Sequence, residues 1–323
     1  MKVLVTDDVH PILRQHIEAA GIVCDVCVDC TYDMLLEKVQ NYDALVVRSK
    51  IVIDRNFIDQ ASHLRCIGRV GAGMDAIDVG YAERLGIQCF NSPEGNRDAV
   101  GEHATALLLA LFDKIVQADG EVRGGQWRRE YNRGIEVKGR TVGIIGFGNM
   151  GAAFAQRLRG FECRIMAYDK YCPPHCVENF NKASDYVVPC SLEALQAESD
   201  VVSLHVPLTE ETHYMVDAGF IGQMSHPFYL LNTSRGAVVK TVDLVSAMES
   251  GRVLGAGLDV IEYENMTKDG LDMEHLPNDY RYLLQSPRTV MTPHVAGWTV
   301  ESKYKLAVVL ADKIVNCLQQ EGR

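Results

Sequence analysis

At residues 141–151 the chain reads TVGIIGFGNMG, an apolar run followed by three spaced glycines. The run predicts a buried strand, and the composition of residues 152–159 favours a helix. Gly146, Gly148 and Gly151 fit the dinucleotide-binding fingerprint. The first glycine allows a tight turn, the second lets the backbone approach a pyrophosphate, and the third lets the helix pack against the strand. The stretch therefore predicts a strand–turn–helix unit that binds a dinucleotide.

The next predicted strand ends in a residue that favours one form of the cofactor. Asp169 directly follows the run RIMAY at residues 164–168. A carboxylate at this position binds the adenine ribose hydroxyls and repels a 2′-phosphate, so NAD is favoured over NADP, although Lys170 softens that preference. Asn149 and Met150 directly precede Gly151 and the predicted helix, whose first amides and dipole hold the phosphates. The simpler alternative is a glycine-rich turn without a ligand.

Apolar runs alternate with helical stretches along most of the chain. Strands are predicted at 3–6, 22–28, 44–48, 65–70, 141–145, 164–168, 201–205, 229–232 and 254–259, and helices at 11–20, 32–39, 100–116, 152–159, 191–198, 241–250 and 302–318. Unbroken apolar runs separated by helices predict parallel sheets covered on both faces. We therefore expect an α/β fold of two doubly wound, Rossmann- or flavodoxin-like domains with a cleft between them.

The composition excludes several classes of function. Hydrophobic residues make up 47% of the 323 residues and charged residues 23%, which is ordinary for a soluble globular protein. A formal net charge of -11 argues against partners such as nucleic acid or an anionic membrane. There is no signal-peptide pattern and no apolar run long enough to span a membrane, so a cytoplasmic location is expected.

Three of the ten cysteines, Cys24, Cys27 and Cys30, have a spacing that resembles part of an iron–sulfur ligand set. Cys24 and Cys27 fall in a predicted strand, however, where residues three apart point to opposite faces, and the next cysteine after Cys30, Cys66, is far away in sequence. We therefore expect no metal site. We interpret the other cysteines as small core residues that stay reduced.

Five stretches, in order along the chain, resemble the D-isomer-specific 2-hydroxyacid dehydrogenase family. They are GRTVGIIG at 139–146, HVPLT at 205–209, NTSRG at 232–236, GLDV at 257–260 and TPH at 292–294. Five matches in order are much more specific than the glycines alone, and the resemblance covers nearly the whole chain. It implies an NAD-dependent oxidoreductase that moves a hydride to or from C2 of a small D-2-hydroxy acid.

The resemblance implies three catalytic residues. Arg235 matches the arginine that grips the substrate carboxylate and carbonyl, His294 matches the acid/base histidine, and Glu264 matches the family glutamate. This chemistry needs a base for the hydroxyl proton, a carboxylate that favours imidazolium, and a charged fork for the substrate carboxylate. Asn265 follows the glutamate where many members have a proline, so Glu262 stays a rival.

The resemblance also implies the residues that line the cofactor site, with Asp259 holding the nicotinamide carboxamide. Besides the residues already named, they are His205, Val206, Pro207, Thr212, Thr233, Ser234, Ala296 and Gly297.

The segment GRVGAGMD at 68–75 matches the family's substrate loop, whose glycines expose backbone amides to a carboxylate. Arg48, next to Ser49, and Arg69 resemble the pattern of D-3-phosphoglycerate dehydrogenases, where arginines here face the substrate phosphate. Many glyoxylate and hydroxypyruvate reductases lack the arginine before this loop. The alternative is that both arginines are structural residues at strand ends. The predicted substrate-binding residues are Arg48, Ser49, Arg69, Gly71, Ala72 and Gly73.

The favoured reaction is oxidation of D-3-phosphoglycerate to 3-phosphohydroxypyruvate, at the entry to serine biosynthesis. The chain would be a short form, because it ends at Arg323 with no room for a regulatory domain. One alternative is a reductase of glyoxylate, hydroxypyruvate or another 2-keto acid. An alternative of another class is an NADH-sensing binding protein similar to the carboxy-terminal-binding corepressors.

The expected organisation has one domain for each ligand. Residues 1–98 plus 297–323 would form the substrate domain and residues 99–296 the NAD-binding domain. Because members of the family are commonly dimers, we expect a homodimer that acts on a small-molecule substrate.

Overall fold

The structure, a computed structural model, describes residues 1–264 and 275–320. It divides into two compact units. Unit 1 comprises Met1–Arg97 and Trp298–Arg323, and unit 2 comprises Asp98–Gly297. The chain therefore passes between the units twice. Residues 321–323, which belong to the last predicted domain segment, lie outside the described residues.

Unit 1 contains a five-stranded parallel sheet with the order β2-β1-β3-β4-β5. Its strands are β1 (Lys2–Val5), β2 (Val23–Val26), β3 (Ala44–Val47), β4 (Cys66–Arg69) and β5 (Gln88–Phe90). Its helices are α1 (Ile12–Ala19), α2 (Tyr32–Val39), α3 (Arg55–Gln60), α4 (Val79–Arg84) and α13 (Val300–Gln319). Since β1 and β3 are neighbours, the strand order reverses there, and a doubly wound sheet binds ligands at the carboxyl ends of such strands.

Two apolar clusters cover the two faces of this sheet. One contains Leu13 and Ile17 of α1 with Leu310 and Ile314 of α13, and the other contains residues of α2, α3 and α4. Each of the four named side chains is fully buried. Their packing explains why the last helix belongs to unit 1 although it follows unit 2 in sequence.

Unit 2 contains a seven-stranded parallel sheet with the order β12-β11-β10-β9-β6-β7-β8. Its strands are β6 (Thr141–Ile145), β7 (Arg164–Tyr168), β8 (Val187–Pro189), β9 (Val201–Leu204), β10 (Phe228–Asn232), β11 (Val253–Leu258) and β12 (Thr289–Met291). The helices are α5 (Arg97–Phe112), α6 (Ile115–Arg123), α7 (Asn149–Leu158), α8 (Pro174–Lys182), α9 (Leu192–Glu198), α10 (Ala218–Gln223), α11 (Thr241–Glu249) and α12 (Asn278–Gln285). The order of its first six strands is that of the Rossmann fold, with the switch between β6 and β9.

The predicted α/β class with parallel sheets is confirmed, but the single helix predicted at 100–116 is wrong. α5 ends at Phe112, and Lys114 adopts a left-handed backbone conformation with φ +52°. The Ile135 amide donates to the Phe112 carbonyl at 3.0 Å. A residue of the loop between α6 and β6 therefore satisfies one of the last carbonyls of α5. α6 then starts in a new direction. No helix in the described ranges is apolar over the length that a membrane crossing needs.

The cysteines also differ from the expectation. Cys24 is buried in β2 as predicted, but the strand ends before Cys27, and Cys27 forms a disulfide with Cys30. A turn places these two side chains together, whereas a continued strand would have separated them. Cys172 and Cys176, interpreted as scattered core residues, are direct neighbours with their sulfurs 2.9 Å apart.

Candidate active site

The glycine loop lies at the carboxyl end of β6, next to the end of β9. Gly146 has a φ of +91°, and a Cβ there would lie 2.6 Å from the His205 carbonyl oxygen. At Gly151 a Cβ would lie 2.1 Å from the Gly146 carbonyl oxygen, so this glycine allows the close packing of α7 on β6. Gly148 is different, since the nearest atom to a Cβ there is His175 Nε2 at 3.7 Å. Internal packing thus explains two of the three glycines and leaves open space beside Gly148.

Asp169 lies at the end of β7 and joins this strand to the glycine loop. Its Oδ2 accepts a hydrogen bond of 2.8 Å from the Phe147 amide, and its Oδ1 accepts one of 2.8 Å from the Cys172 amide. Lys170 is exposed and forms an ion pair of 2.8 Å with Glu211. The structure therefore places Asp169 beside the glycine loop, while the charge of Lys170 is largely balanced by Glu211.

The other predicted cofactor residues fall at the ends of β9 and β10. Val206 lies against the glycine loop. If Gly146 had a Cβ atom, that atom would be 3.0 Å from Val206 Cγ1. Thr212 Oγ1 donates to the Pro207 carbonyl at 2.6 Å and fixes the loop after β9. Ser234 Oγ donates to Asn232 Oδ1 at 2.8 Å, so this hydroxyl stabilises the turn that follows β10. Asn149 and Met150 form the first turn of α7.

Two buried polar atoms in this region have no hydrogen-bond partner within the described residues. They are Thr233 Oγ1 and His205 Nδ1. Burial lowers the pKa of His205 to about 3, so this ring is neutral near pH 7. Because buried polar groups are almost always paired, these atoms indicate a missing partner. Together with the open space at Gly148, they fit a bound dinucleotide.

Asp259 organises the loop that carries His294. Its side chain is 1% exposed and accepts hydrogen bonds from Thr292 Oγ1 (2.6 Å), the Val295 amide (2.8 Å) and the Ala296 amide (2.9 Å). Its backbone carbonyl accepts from the His294 amide at 2.8 Å. A nicotinamide carboxamide, the predicted partner, would have to share the carboxylate with these three donors. Gly297 ends the loop and unit 2.

His294 and Glu264 form the central pair. His294 Nδ1 donates to Glu264 Oε2 at 3.0 Å. This bond, opposed in part by desolvation, raises the pKa of His294, and the charge of Glu264 adds to the increase. The rival Glu262 is engaged elsewhere, because it accepts hydrogen bonds from the Tyr214 hydroxyl and from the Thr241 amide. The geometry therefore favours Glu264 as the partner of the histidine.

Arg235 follows β10, at the start of a short 3-10 turn over Gly236–Val238. Its guanidinium donates to the Ser234 carbonyl at 2.7 Å, and its backbone carbonyl accepts from Asn232 Nδ2 at 2.9 Å. The positive charge of Arg235 acts against the raised pKa of His294, although less strongly than Glu264 favours it. The three predicted catalytic residues thus all lie within unit 2.

The predicted substrate residues cluster separately, within unit 1, at the carboxyl ends of β3 and β4. Arg69 Nε donates to the Arg48 carbonyl at 3.2 Å, and the Arg69 guanidinium lies so close to Gly71 that a Cβ there would be 1.8 Å from Nη1. The Arg48 amide donates to Asp7 Oδ2 at 2.7 Å. The Arg48 guanidinium also lies 4.6 Å from the centre of the Trp298 ring. Ser49 is exposed, and Ala72 and Gly73 are half-buried.

His103 of α5 supports this site as a structural residue, and no sequence motif points to its partner. His103 Nε2 donates to Thr292 Oγ1 at 2.9 Å, and Thr292 in turn donates to Asp259. The histidine therefore supports the loop that carries His294, although the two are 191 positions apart in sequence. No local pattern could have shown this contact. Among the described residues no His, Cys, Asp or Glu cluster could hold a metal ion.

The Rossmann sheet, the glycine loop and the histidine–glutamate pair define the class of nicotinamide-dependent oxidoreductases. The family model for the NAD binding domain of D-isomer specific 2-hydroxyacid dehydrogenases matches residues 105–296, more than half of the chain. The chain therefore belongs to the D-isomer specific 2-hydroxyacid dehydrogenase family, whose members act on CH–OH groups with NAD.

Individual relatives differ in their substrates. The D-3-phosphoglycerate dehydrogenase of Archaeoglobus fulgidus is 35% identical over 317 residues, which cover 98% of this chain and 57% of that protein. The glyoxylate reductase of Thermococcus litoralis is 36% identical over 289 residues, which cover 87% of this chain and 82% of that protein. The D-lactate dehydrogenase of Aquifex aeolicus, solved with NAD and lactic acid, superimposes with a TM-score of 0.81 at 25% identity. That match covers 98% of this chain and 95% of the other. This chain thus spans little more than half the length of the first relative.

Proposed function

We propose that this chain catalyses the transfer of a hydride between NAD and C2 of a small D-2-hydroxy acid. The observation that carries the proposal is the 3.0 Å contact between His294 Nδ1 and Glu264 Oε2, in the same unit as the glycine loop. When bound, NAD supplies the hydride acceptor, or in its reduced form the donor. The protein supplies the proton transfer, the carboxylate contact and the orientation.

His294 acts as the acid–base group. In the oxidation it accepts the proton of the substrate hydroxyl, and in the reduction it donates a proton to the forming alkoxide. Glu264 holds Nδ1 of the ring, so Nε2 is the nitrogen that exchanges the proton, and the raised pKa keeps the imidazolium form available. Arg235 binds the substrate carboxylate through its planar, permanently charged guanidinium.

The dinucleotide would bind along the carboxyl ends of β6, β7 and β9. Gly146, Gly148 and the first amides of α7 hold the pyrophosphate, and Asp169 accepts hydrogen bonds from the adenine ribose. Thr233 Oγ1 and His205 Nδ1, which lack partners within the described residues, support this placement. We accordingly assign NAD binding and the three catalytic residues to unit 2, and the predicted substrate loop with Arg48 and Arg69 to unit 1.

We further propose D-3-phosphoglycerate as the substrate, with Arg48 and Arg69 binding its phosphate. The support is the position of both arginines at the carboxyl ends of β3 and β4, where Arg69 Nε donates to the backbone carbonyl of Arg48. The relative from Archaeoglobus fulgidus acts on this compound by name. This activity would place the chain at the entry to serine biosynthesis.

A glyoxylate or hydroxypyruvate reductase is the second candidate. The stacking of Arg48 on Trp298, 4.6 Å from the ring centre, gives this arginine a structural partner that does not require a phosphate. The glyoxylate reductase of Thermococcus litoralis is as similar to this chain as the phosphoglycerate dehydrogenase.

The two candidates differ in what Arg48→Ala and Arg69→Ala should do. If these arginines bind a phosphate, each variant should lower kcat/KM for 3-phosphohydroxypyruvate about tenfold more than for glyoxylate, the loss of one charged hydrogen bond. Arg55→Ala is the matched control, since Arg55 lies in unit 1 in an exposed pair with Asp78. Equal losses for both substrates would assign the two arginines to structure and favour the reductase.

We also propose that the chain forms a homodimer through α6 and the loop that follows it. None of the residues of α6 is buried, and several large apolar side chains are exposed here. They are Ile115, Val116, Val122, Trp127 and Tyr131. Concentrated exposed apolar side chains of this kind are typical of interaction surfaces. A second copy of the chain would cover this surface symmetrically.

A further inference from the structure

Cys172 and Cys176 are two free thiols in direct contact. Their sulfur atoms are 2.9 Å apart, and neither residue takes part in a disulfide. A disulfide bond has a length of about 2.05 Å, so a closure of only about 0.9 Å would join them. Cys176 lies in the first turn of α8 and is fully buried, whereas Cys172 precedes the helix and is partly exposed. The thiol accessible to a reagent is therefore that of Cys172.

This pair is connected to the glycine loop through hydrogen bonds on two sides. The Cys172 amide donates to Asp169 Oδ1, and the other oxygen of Asp169 accepts from the Phe147 amide. From α8, Asn179 Nδ2 donates to the carbonyls of Phe147 and Gly148 at 3.1 Å each. A displacement of Cys172 or of the first turn of α8 therefore moves the Asp169 carboxylate or the glycine loop.

The backbone at Cys172 is strained in the reduced form. Its φ is +35°, which lies outside the regions that L-residues prefer. Such strain persists only where neighbouring contacts hold it in place, here the bond from the Cys172 amide to Asp169.

We propose that Cys172 and Cys176 form a reversible redox site whose oxidation weakens NAD binding. The inference rests on the proposed function, because it requires that Asp169 and the glycine loop bind the dinucleotide. In the oxidised form the disulfide draws Cys172 away from Asp169 Oδ1. The carboxylate then loses one of the donors that orient it towards the ribose.

The oxidant belongs to the class of small-molecule disulfides. The thiolate of Cys172 attacks one sulfur of the reagent, which forms a mixed disulfide and releases the first small thiolate. The Cys176 thiol loses its proton, which the released thiolate takes up, and attacks the Cys172 sulfur. This step forms the protein disulfide and releases the second small thiolate, which takes up the proton that Cys172 lost at the start. Two protein thiols are oxidised and one small disulfide is reduced to two thiols. Burial raises the pKa of Cys176, which slows the second step because less of this thiol is present as the thiolate.

The test uses the full chain equilibrated at a series of ratios of oxidised to reduced glutathione. Differential alkylation followed by peptide mass analysis gives the fraction of Cys172–Cys176 disulfide, and NADH fluorescence gives the Kd in the same samples. We expect the Kd of NADH to rise about tenfold as this disulfide forms, since one hydrogen bond to a carboxylate is worth about that factor. The Kd should return to its starting value on reduction.

Two variants provide matched controls. Cys176→Ala keeps the backbone contacts of Asp169 and should bind NADH as the reduced wild type does, with no response to glutathione. Cys172→Ser serves the same purpose if the first variant does not fold. The double variant Cys27→Ala/Cys30→Ala removes the disulfide of unit 1 and should keep the full response.

The outcomes separate this inference from the proposed function. If the Cys172–Cys176 disulfide forms and the Kd of NADH does not change, the inference is wrong and the proposed function stands. A mixed disulfide that never proceeds to the protein disulfide also overturns it. If the fully reduced protein does not bind NADH, both the proposed function and the inference fail.

Discussion

His294 has a left-handed backbone conformation, with a φ of +53°, and its surroundings explain why. Its amide donates to the carbonyls of Asp259 and Thr292, at 2.8 and 3.0 Å. The Asp259 carboxylate holds the next two amides of the loop. Strained residues persist where the surrounding structure fixes them, and they are frequent at active sites. The precise placement of the histidine beside Glu264 therefore depends on Asp259.

The contact between His294 and Glu264 predicts the direction in which the pH dependence of the rate should shift when the glutamate is replaced. Because the bond to Glu264 raises the pKa of His294, Glu264→Gln should lower that pKa. Reduction of a 2-keto acid needs the imidazolium form, so its rate falls as pH rises through this pKa. In Glu264→Gln, the pH at which kcat/KM for the reduction falls should therefore be lower than in the wild type. The pH at which kcat/KM for the oxidation rises should be lower as well.

Glu262→Gln is the matched control for this experiment. Glu262 bonds to Tyr214 and Thr241, so the pH–rate profile should stay as it is in the wild type. If Glu262→Gln shifts the pH–rate profile and Glu264→Gln does not, then Glu262, and not Glu264, is the glutamate that raises the pKa of His294. Steady-state rates at a series of pH values give the answer.

At the residue scale, the sequence predicts which residue types carry the chemistry but not all of their partners. Arg235 and His294 could be named because they follow specific motifs. The family resemblance favoured Glu264, but Glu262 stayed a rival, since the two are two positions apart and only the folded loop shows which one meets His294. His103 could not be found, because its contact with Thr292 is purely tertiary.

At the scale of helices and strands, the elements with long apolar runs could be predicted from the sequence, and the very short elements could not. The long apolar runs of β3, β6 and β9 are fully or almost fully buried strands, as expected for parallel sheets. The strands β5, β8 and β12 have three residues each, too few for a period to show, and they were missed. The end of α5 was missed because the residues after it remain good helix formers, and a returning loop ends the helix.

The packing of the glycine loop predicts that Gly151→Ala mainly lowers stability, whereas Gly148→Ala mainly lowers the affinity for NADH. In Gly151→Ala the new Cβ would lie 2.1 Å from the Gly146 carbonyl oxygen, so the free energy of unfolding should fall by about 1–3 kcal/mol. In Gly148→Ala the nearest atom is 3.7 Å away, so stability should be close to that of the wild type. The Kd of NADH should nevertheless rise, because the methyl group takes the space of the pyrophosphate.

Chemical denaturation and NADH fluorescence measure these two effects separately. Unchanged NADH affinity in a folded Gly148→Ala variant would contradict the placement of the cofactor. A Gly151→Ala variant as stable as the wild type would contradict the close packing of α7 on β6.

At the scale of the whole molecule, the chain forms two units around separate parallel sheets, and the last helix returns to the first unit. The match to the NAD binding domain lies entirely within unit 2, at residues 105–296. The predicted division after residue 98 and before residue 297 came from family resemblance and from the switch between sets of apolar runs. Composition alone would have indicated only that the chain has room for two domains.

The proposed homodimer predicts that a charge on the exposed surface of α6 separates the copies. Val116→Asp, together with Trp127→Ser, should shift the mass in sedimentation from two chains to one, since both side chains are more than half exposed. Val300→Asp is the control, because Val300 is even more exposed than Val116 and Trp127 but lies in unit 1. A wild type that sediments as one chain at micromolar concentration would contradict the proposed dimer.

The central claim is hydride transfer with His294 as the acid–base group. The most direct test is NADH oxidation by the wild type and by His294→Gln, with 3-phosphohydroxypyruvate, hydroxypyruvate and glyoxylate as substrates. We predict turnover by the wild type, with the highest kcat/KM for the phosphorylated acid. In His294→Gln, kcat should fall about 10²–10⁴-fold while the Kd of NADH stays nearly the same. A wild-type protein that binds NADH but turns over none of the three acids would contradict the claim and favour an NADH-sensing binding protein.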